Sequence, residues 1–456
     1  MATPEALTKY YDCLRDSFNK IQVKDNTDAL VNAALRPKIR EEFAKSKNLL
    51  ISYLNYLKVF TLIYSDKFGT ICINIICPLF REHAFKSSRL NDRSLDSNSQ
   101  ATDGEDTALL VHETIRVILK SKPELIDDLI QSVIRLFPAA DTDGSDVFLA
   151  YLSNALQVCT YIRGEPLTNL MAKILDRINP RKLNQLKRDE RAQSLQHTVE
   201  TSHDLLYERL DEVSDKQLED ISAAILAAFT REFLTSENPT EMNHLILYVC
   251  SKKNELADLF INLLWANFTD PEKSISERRA SVLHASSFMA RATYVELDKV
   301  FNLLDTASIW CHSFLKNDPV SEHNGMNNSS EIFYSLVESM LYLITQRYRE
   351  MYEEESLAKL KNLNFETLLG GQSKALEHCN LQTVRRFSEV SSLYNICPSL
   401  VEYEHRAKRR KSTSELAKQY LELRLPFEEA PDKLPSRISS LYRRYYDHRN
   451  FTIYRE

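Results

Sequence analysis

The chain has 456 residues, of which 43% are hydrophobic and only seven are glycine, so it can build a large core but few tight turns. Strand-rich folds are therefore disfavoured. A net charge of −6 argues against a protein that binds nucleic acid over its whole surface. The N-terminus has no apolar signal core, and the longest apolar run, residues 71–80, is too short to span a bilayer, so we expect no membrane association.

The first segment, residues 1–86, is predicted to form helical repeats. Apolar residues at spacings of three and four predict helices over 4–20, 38–64 and 68–80. Residues 87–106 then lose all periodicity and are rich in Ser, Asn and Asp, so we predict a mobile serine-rich loop. A kinase could reach its serines, although a simple solvated linker explains the composition equally well.

Residues 107–316 are predicted to form central HEAT-like repeats. Residues 107–137 contain two apolar stripes separated by a corner at Pro123, and residues 147–178 repeat this arrangement around Pro166. The spacing between pairs is close to the ~40–47 residues of HEAT-type units. The fold class predicted from these patterns is all-α, a HEAT-repeat-like helical solenoid, or superhelix.

The stretch from His244 to Phe314 shows the clearest pattern. A helix is predicted to begin near Asn254 and to stop at Asp270-Pro271, because proline cannot continue the hydrogen-bond ladder. Ser274 or Ser276 is predicted to cap the next helix, over residues 277–292, and a third helix is expected to follow Tyr294.

The remaining residues are predicted to form a second mobile loop, C-terminal helical repeats and a basic, aromatic C-terminal segment. The loop is expected over 317–330, the repeats over 331–400 and the last segment over 401–456. Within the repeats, helices are predicted over 332–352, 364–379 and 381–393.

The sequence contains no recognisable catalytic or cofactor-binding motif. There is no GxxxxGK[ST], GxGxxG or HExxH, and the eight cysteines are scattered without a CxxC pair, which is typical of reduced core residues in a cytosolic or nuclear protein. His112, His203 and His378 each adjoin an acidic residue, but neighbours on a helix point in different directions, so we interpret them as surface histidines. The prediction is a protein that is not an enzyme and that holds no cofactor and no metal.

Two groups of basic residues are candidates for binding sites. Lys408, Arg409, Arg410 and Lys411 suit nuclear import or nucleic-acid contact, and a solvated helix face is the alternative. Arg278, Arg279 and Arg291 could project from one side of the array towards a partner, and ordinary surface solvation is the competing explanation.

Several passages in collinear order resemble the RNA polymerase I-specific transcription initiation factor family. They are VHETIRVILKSKPELIDDLIQSVIRLFPAA at 111–140, LYVCSKKNELADLFINLLW and RRASVLHASSFMARATYV within 244–295, and LKNLNFETLLGGQSKALEHC within 360–394. A weaker similarity lies in Leu425-Pro426-Phe427-Glu428 and Leu434-Pro435-Ser436.

The resemblance implies a non-catalytic HEAT-repeat factor that joins RNA polymerase I, near its stalk, to the promoter core factor at ribosomal DNA. It implies a phosphoregulated docking face, which we carry over to Ser87, Ser88, Ser94, Ser145 and Ser153, and self-association of the free factor as a homodimer. It also implies that residues 287–292 face promoter components, so that Arg278, Arg279 and Arg291 are candidates for that face. Thr293 stands where members usually place a lysine, so DNA contact there is expected to be weak or indirect.

The sequence therefore predicts a nuclear, specifically nucleolar, phosphoprotein that functions in rRNA transcription initiation. The alternative is another HEAT-type scaffold, either a nuclear transport receptor or a phosphatase scaffold. That alternative predicts binding to import cargo or to a phosphatase catalytic subunit instead of polymerase I.

Overall fold

The computed structural model describes residues 3–17, 46–80, 101–139, 144–179, 191–235, 240–317, 328–370, 375–400, 425–428 and 434–444. Within these ranges the regular structure is helical, and an isolated antiparallel bridge joins Ala292 to Tyr442. This confirms the all-α prediction. The chain divides into two compact units, residues 1–225 and 226–456, so the division falls inside the predicted central repeats.

Unit 1 is made of amphipathic helices joined by short corners. They are α1 (Pro4–Ser17), α2 (Lys47–Ile76), α3 (Ala101–Ser121), α4 (Ile126–Arg135), α5 (Ser145–Cys159), α6 (Gly164–Arg177), α7 (Arg191–Glu212) and the greater part of α8 (Asp215–Ala228). The predicted hairpin over 107–137 is confirmed as α3 and α4, joined by a 3-10 turn at Pro123–Leu125. Helix α3 already begins at Ala101, inside the segment predicted as a loop, and residues 87–100 lie outside the described ranges.

The prediction of two helices over 38–64 and 68–80 is wrong for the part that the structure describes. A single helix, α2, runs from Lys47 to Ile76, with the Ser46 hydroxyl accepting from the Leu49 amide at its start. Gly69 lies in its interior, and a Cβ there would come within 2.6 Å of Leu125. The missing side chain thus makes room for Leu125, which is why a residue that weakens an isolated helix is compatible with this one.

Unit 2 contains most of the remaining helices. They are α9 (Thr240–Ser251), α10 (Asn254–Thr269), α11 (Ile275–Arg291), α12 (Leu297–Asn317), α13 (Asn328–Arg347), α14 (Glu354–Asn362), α15 (Phe365–Leu369), α16 (Ala375–His378), α17 (Leu381–Tyr394) and α18 (Ser436–Ser439). A π-helical turn at Phe229–Phe233 and a 3-10 turn at Tyr348–Glu350 extend α8 and α13. Both ends of the predicted loop 317–330 are helical, and residues 318–327 lie outside the described ranges.

Helix α11 is the centre of unit 2. It packs against α10 on one side and α13 on the other, and its residues from Ser281 to Arg291 are all buried. Ser274 caps it in a capping box: its hydroxyl accepts from the Glu277 amide at 3.2 Å while the Glu277 carboxylate accepts from the Ser274 amide at 3.0 Å. The choice between Ser274 and Ser276 is thereby settled in favour of Ser274.

Two short C-terminal segments, residues 425–428 and 434–444, lie against this core. Phe427 is 2% exposed, and its ring centroid lies 5.7 Å from that of Phe288 on α11. The Thr293 amide donates to the Leu441 carbonyl at 3.0 Å, and the Arg443 amide donates to the Arg291 carbonyl at 2.6 Å. None of the helices within the described ranges combines the length and apolarity needed to cross a bilayer.

Candidate functional site

The base of the predicted serine-rich loop lies against α5. Phe80 is the last described residue before that loop, and its ring stacks on His112 with centroids 4.7 Å apart and planes 28° apart. The Phe80 carbonyl accepts from Asn154 Nδ2 on α5 at 3.4 Å. The last described residue before the predicted loop therefore lies beside the middle of α5.

His112 anchors this base as a neutral side chain. It is 3% exposed, with Nδ1 3.1 Å from the Tyr161 hydroxyl and Nε2 3.1 Å from Asn154 Oδ1. Burial lowers the pKa of His112 to about 4, against the opposing effect of the Asn154 hydrogen bond. The interpretation of His112 and His203 as surface residues is wrong, since both are buried, whereas His378 is half-buried and stacks on Tyr334 at 4.1 Å.

Ser145 and Ser153 lie on the helix that holds this base. Ser145 is the first residue of α5, is half-buried, and accepts a 2.7 Å hydrogen bond from Thr198 Oγ1 of α7. Ser153 is half-buried and precedes Asn154, about 12 Å further along the helix axis. Ser87, Ser88 and Ser94 lie outside the described residues, so of the five candidate serines the structure describes Ser145 and Ser153, both on α5.

Arg278, Arg279 and Arg291 do not form one exposed face. Arg278 is half-buried and donates through Nε to the Phe268 carbonyl at 2.7 Å, while Arg279 contacts Glu331 at 3.2 Å and Ser335 at 3.0 Å. Arg291 is only 1% exposed, so its predicted place on the partner face is corrected to an internal one. The physical reason is that polar residues far away in the sequence, but adjacent in the fold, supply the hydrogen-bond partners that a buried guanidinium needs.

Those partners come from α13 and the C-terminal segment. Arg291 Nη2 lies 3.1 Å from both the Tyr342 hydroxyl and Glu428 Oε1. Burial alone would lower the pKa of Arg291, but Tyr342, Tyr442 and Glu428 outweigh it and keep this pKa above its usual value. The guanidinium therefore stays charged inside the fold.

A second buried arginine continues the same network. Arg347 is 1% exposed and donates to the carbonyls of Met289 at 2.8 Å and Val295 at 3.0 Å, and to Glu350 at 2.7 Å. Glu350 also accepts from Arg443 of the C-terminal segment. The two buried arginines thus tie residues 425–428 and 434–444 to the two ends of the α11–α12 turn.

Sequence reasoning did not assign a role to Glu428 or Arg443, which complete this network. The available signal was the family resemblance of the passage Leu425-Pro426-Phe427-Glu428. Lys408, Arg409, Arg410 and Lys411 lie outside the described residues, and their import or nucleic-acid role stays a prediction.

The cysteines behave mainly as core residues. None of the eight forms a disulfide, and seven are buried, whereas Cys13 is exposed. Burial raises the pKa of Cys72 to about 11 and that of Cys77 to about 12, so these thiols are unreactive at neutral pH. Within the described ranges, no group of three or more His, Cys, Asp or Glu side chains has an arrangement that could hold a metal ion.

These features define a helical-repeat protein in which buried polar side chains hold neighbouring helices and chain segments together. The family model described as RNA polymerase I specific transcription initiation factor RRN3 matches residues 1–181 and 179–445. The chain belongs to this family.

Individual relatives are distant in sequence and similar in fold. The mouse RNA polymerase I-specific transcription initiation factor RRN3 is 24% identical over 204 residues, covering 42% of this chain and 30% of that protein. The Schizosaccharomyces pombe factor rrn3 is 20% identical over 188 residues, covering 38% of this chain and 30% of that protein. The aligned part thus spans about a third of the length of these curated relatives. The crystal structure of RNA polymerase I transcription initiation factor Rrn3 matches 97% of this chain and 90% of its own, with a TM-score of 0.68 at 16% identity.

Proposed function

We propose that this protein is a non-enzymatic initiation factor that binds RNA polymerase I and recruits it to the core factor at ribosomal DNA promoters for rRNA synthesis. Membership of the RRN3 family is the observation that carries the proposal. It would act in the nucleus, within the nucleolus, and its partners would be the stalk region of the polymerase, the core factor and a second copy of itself when free.

The serine-bearing surface at α5 is the proposed polymerase-docking face. It includes Ser145 and Ser153, and Ser87, Ser88 and Ser94 of the predicted loop are proposed to act with them. A phosphate on Ser145 would modify the oxygen that accepts the 2.7 Å hydrogen bond from Thr198 and would add about two negative charges at the start of α5. The helix dipole favours a negative charge at that position, while Asp146 opposes it. The net effect would be a change in the electrostatics of the surface with little cost to the helix itself.

The proposed promoter-facing surface is now restricted to Arg278 and Arg279 on the first turns of α11. Both are about one-third exposed or less, and each already has an internal contact, so they suit recognition of a protein surface better than a grip on a phosphate backbone. DNA contact would accordingly be weak or indirect. The segment from Lys408 to Lys411 would serve nuclear import or contact nucleic acid.

The test is affinity purification of the tagged full chain from its native nuclei, with identification of the bound proteins. A second sample carries Ser87→Asp, Ser88→Asp and Ser94→Asp. A charge-matched control carries Ser276→Asp, Ser392→Asp and Ser439→Asp, three exposed serines of unit 2. We expect polymerase I subunits with the unmodified and control chains and less polymerase with the loop variant.

Other outcomes have separate meanings. Equal recovery of polymerase I in all three samples would support the proposed function. It would also show that Ser87, Ser88 and Ser94 are not the regulatory site. Recovery of import cargo or a phosphatase catalytic subunit without polymerase I would replace the proposal by the transport-receptor or phosphatase-scaffold alternative.

A further inference from the structure

A buried carboxyl group lies where α13 meets the start of α17. Glu338 of α13 is only 9% exposed, and proteins rarely bury a glutamate without a counter-charge. Its Oε1 accepts a 3.1 Å hydrogen bond from the Asn380 amide, 42 residues later in the chain. Asn380 itself caps α17, because its Oδ1 accepts from the Gln382 amide at 2.8 Å and from the Thr383 amide at 3.4 Å. One carboxyl group of α13 thus holds the residue at which α17 starts.

Residues 375–383, which we call the α16–α17 corner, have two further contacts with α13. The His378 ring stacks on the Tyr334 ring, with centroids 4.1 Å apart and planes 14° apart. The Cys379 thiol lies 3.9 Å from the Tyr334 carbonyl oxygen. Beyond the corner, α17 packs directly on α13. The corner is therefore the place where a change at Glu338 acts on the attachment of α17.

The nearest cation does not pair with the buried carboxyl group. Arg279 of α11 acts on Glu338 through its charge, but its guanidinium lies 3.2 Å from Glu331 Oε2 and donates to Ser335 Oγ at 3.0 Å. Ser335 and Glu331 precede Glu338 on α13 by about one and two turns. Within the part of the chain that the structure describes, Glu338 forms no ion pair, and its hydrogen bond is the one from the Asn380 amide. A single amide donor replaces little of the hydration that a carboxylate loses on burial.

Besides Arg279, ionisable groups from α12, α13, the corner and α17 surround this junction. They are Cys311, Tyr334, Glu377, His378, Cys379, Arg385 and Arg386. Burial raises the pKa of Cys311, Cys379 and Tyr334 above their usual values, so these three groups stay neutral near pH 7. Arginine side chains stay charged throughout this range. The groups whose titration an experiment must separate are therefore Glu338, Glu377 and His378.

We propose that Glu338 and the α16–α17 corner form a proton-controlled latch, in which the corner stays on α13 while the carboxyl group is protonated and opens when the proton is lost. An ionised Glu338 regains its hydration only if the corner separates from α13. Burial raises the pKa of Glu338 to about 7, against the smaller opposing effects of the Asn380 hydrogen bond and of Arg279. In the open corner this pKa returns to its ordinary 4.5. Opening therefore becomes easier as pH rises from 4.5 to 7 and changes little above that.

Hydrogen–deuterium exchange of the full chain at pH 6, 8 and 9, followed by mass spectrometry, measures the opening of the corner. Dividing the intrinsic exchange rate at each pH by the observed rate gives the protection factor. We expect the protection of residues 380–388 to fall about tenfold between pH 6 and 8 and to stay level between pH 8 and 9. We also expect it to lie below that of residues 282–291 of α11 at every pH, because the corner opens without unfolding of unit 2. Equal protection of the two segments would overturn the inference.

Three variants assign the effect to one carboxyl group. Glu338→Gln keeps an oxygen for the Asn380 amide and cannot ionise, so its protection should be the same at pH 6 and pH 8. Glu377→Gln and His378→Phe remove the other two groups of the corner and should keep the tenfold fall. Tryptophan emission checks that each variant is folded. A flat profile in the unmodified chain, or a tenfold fall that persists in Glu338→Gln, would overturn the inference.

Discussion

Removal of the Phe427 ring tests whether the C-terminal segment belongs to the core of unit 2. Phe427 is 2% exposed, and its ring lies 5.7 Å from Phe288 and 6.2 Å from His284. A buried Phe→Ala substitution usually costs about 3–5 kcal/mol, because apolar contacts are lost and a cavity remains. The segment can relax around the gap, so we expect Phe427→Ala to lower the free energy of unfolding of unit 2 by about 3 kcal/mol.

Urea unfolding followed by tryptophan emission measures this loss in unit 2 alone, because Trp265 and Trp310 both lie in that unit. With an m-value of about 3 kcal/mol/M, the loss corresponds to a fall of about 1 M in the unfolding midpoint. Tyr352→Ala is the control: Tyr352 is 67% exposed, and its removal should move the midpoint by less than about 0.2 M. A midpoint for Phe427→Ala equal to that of the control would show that residues 425–428 are dispensable for the core.

Three further substitutions, beside the control Ser276→Ala, have directions set by the structure. Ser274→Ala should destabilise unit 2 by about 1 kcal/mol through loss of the capping box, whereas Ser276→Ala should be neutral in the same urea assay. Burial raises the pKa of Glu338 to about 7 from an ordinary 4.5, so its ionisation costs stability as pH rises through that interval. Glu338→Gln should therefore be more stable than the unmodified chain at pH 8, by at most about 3 kcal/mol, and no more stable at pH 4; an equal gain at both pH values would contradict this. Burial lowers the pKa of His112 to about 4 from 6.5, so unit 1 should lose stability as pH falls from 6.5 to 4. His112→Gln should flatten that slope in thermal unfolding followed by circular dichroism.

Local patterns predicted most of the helices because the information lies within a few residues. The apolar stripe from Leu256 to Phe268, followed by Pro271, predicts both ends of α10, which runs from Asn254 to Thr269. The Pro123 corner likewise predicts the α3–α4 pair. These are cases in which propensity, periodicity and capping agree.

Other features depended on residues far away in the sequence. A lone arginine in a helix is usually exposed, whereas Arg291 is buried with acceptors from Tyr342 and from Glu428, the latter 137 residues later. His112 is buried because Asn154 and Tyr161 satisfy its two ring nitrogens. The continuity of α2 through Gly69 depends on Leu125 in the same way. No short-range pattern contains these partners.

The fastening of residues 425–428 and 434–444 onto α11 has a consequence for biosynthesis. Glu428 and Arg443 leave the ribosome about 140 residues or more after α11, a delay of roughly 10 to 30 s at ordinary rates of translation. During that interval Arg291 lacks its carboxylate and Phe288 lacks the ring that covers it. Unit 2 must therefore complete its folding late, and a nascent chain that stops before residue 425 presents an unfinished surface that chaperones and proteases can recognise.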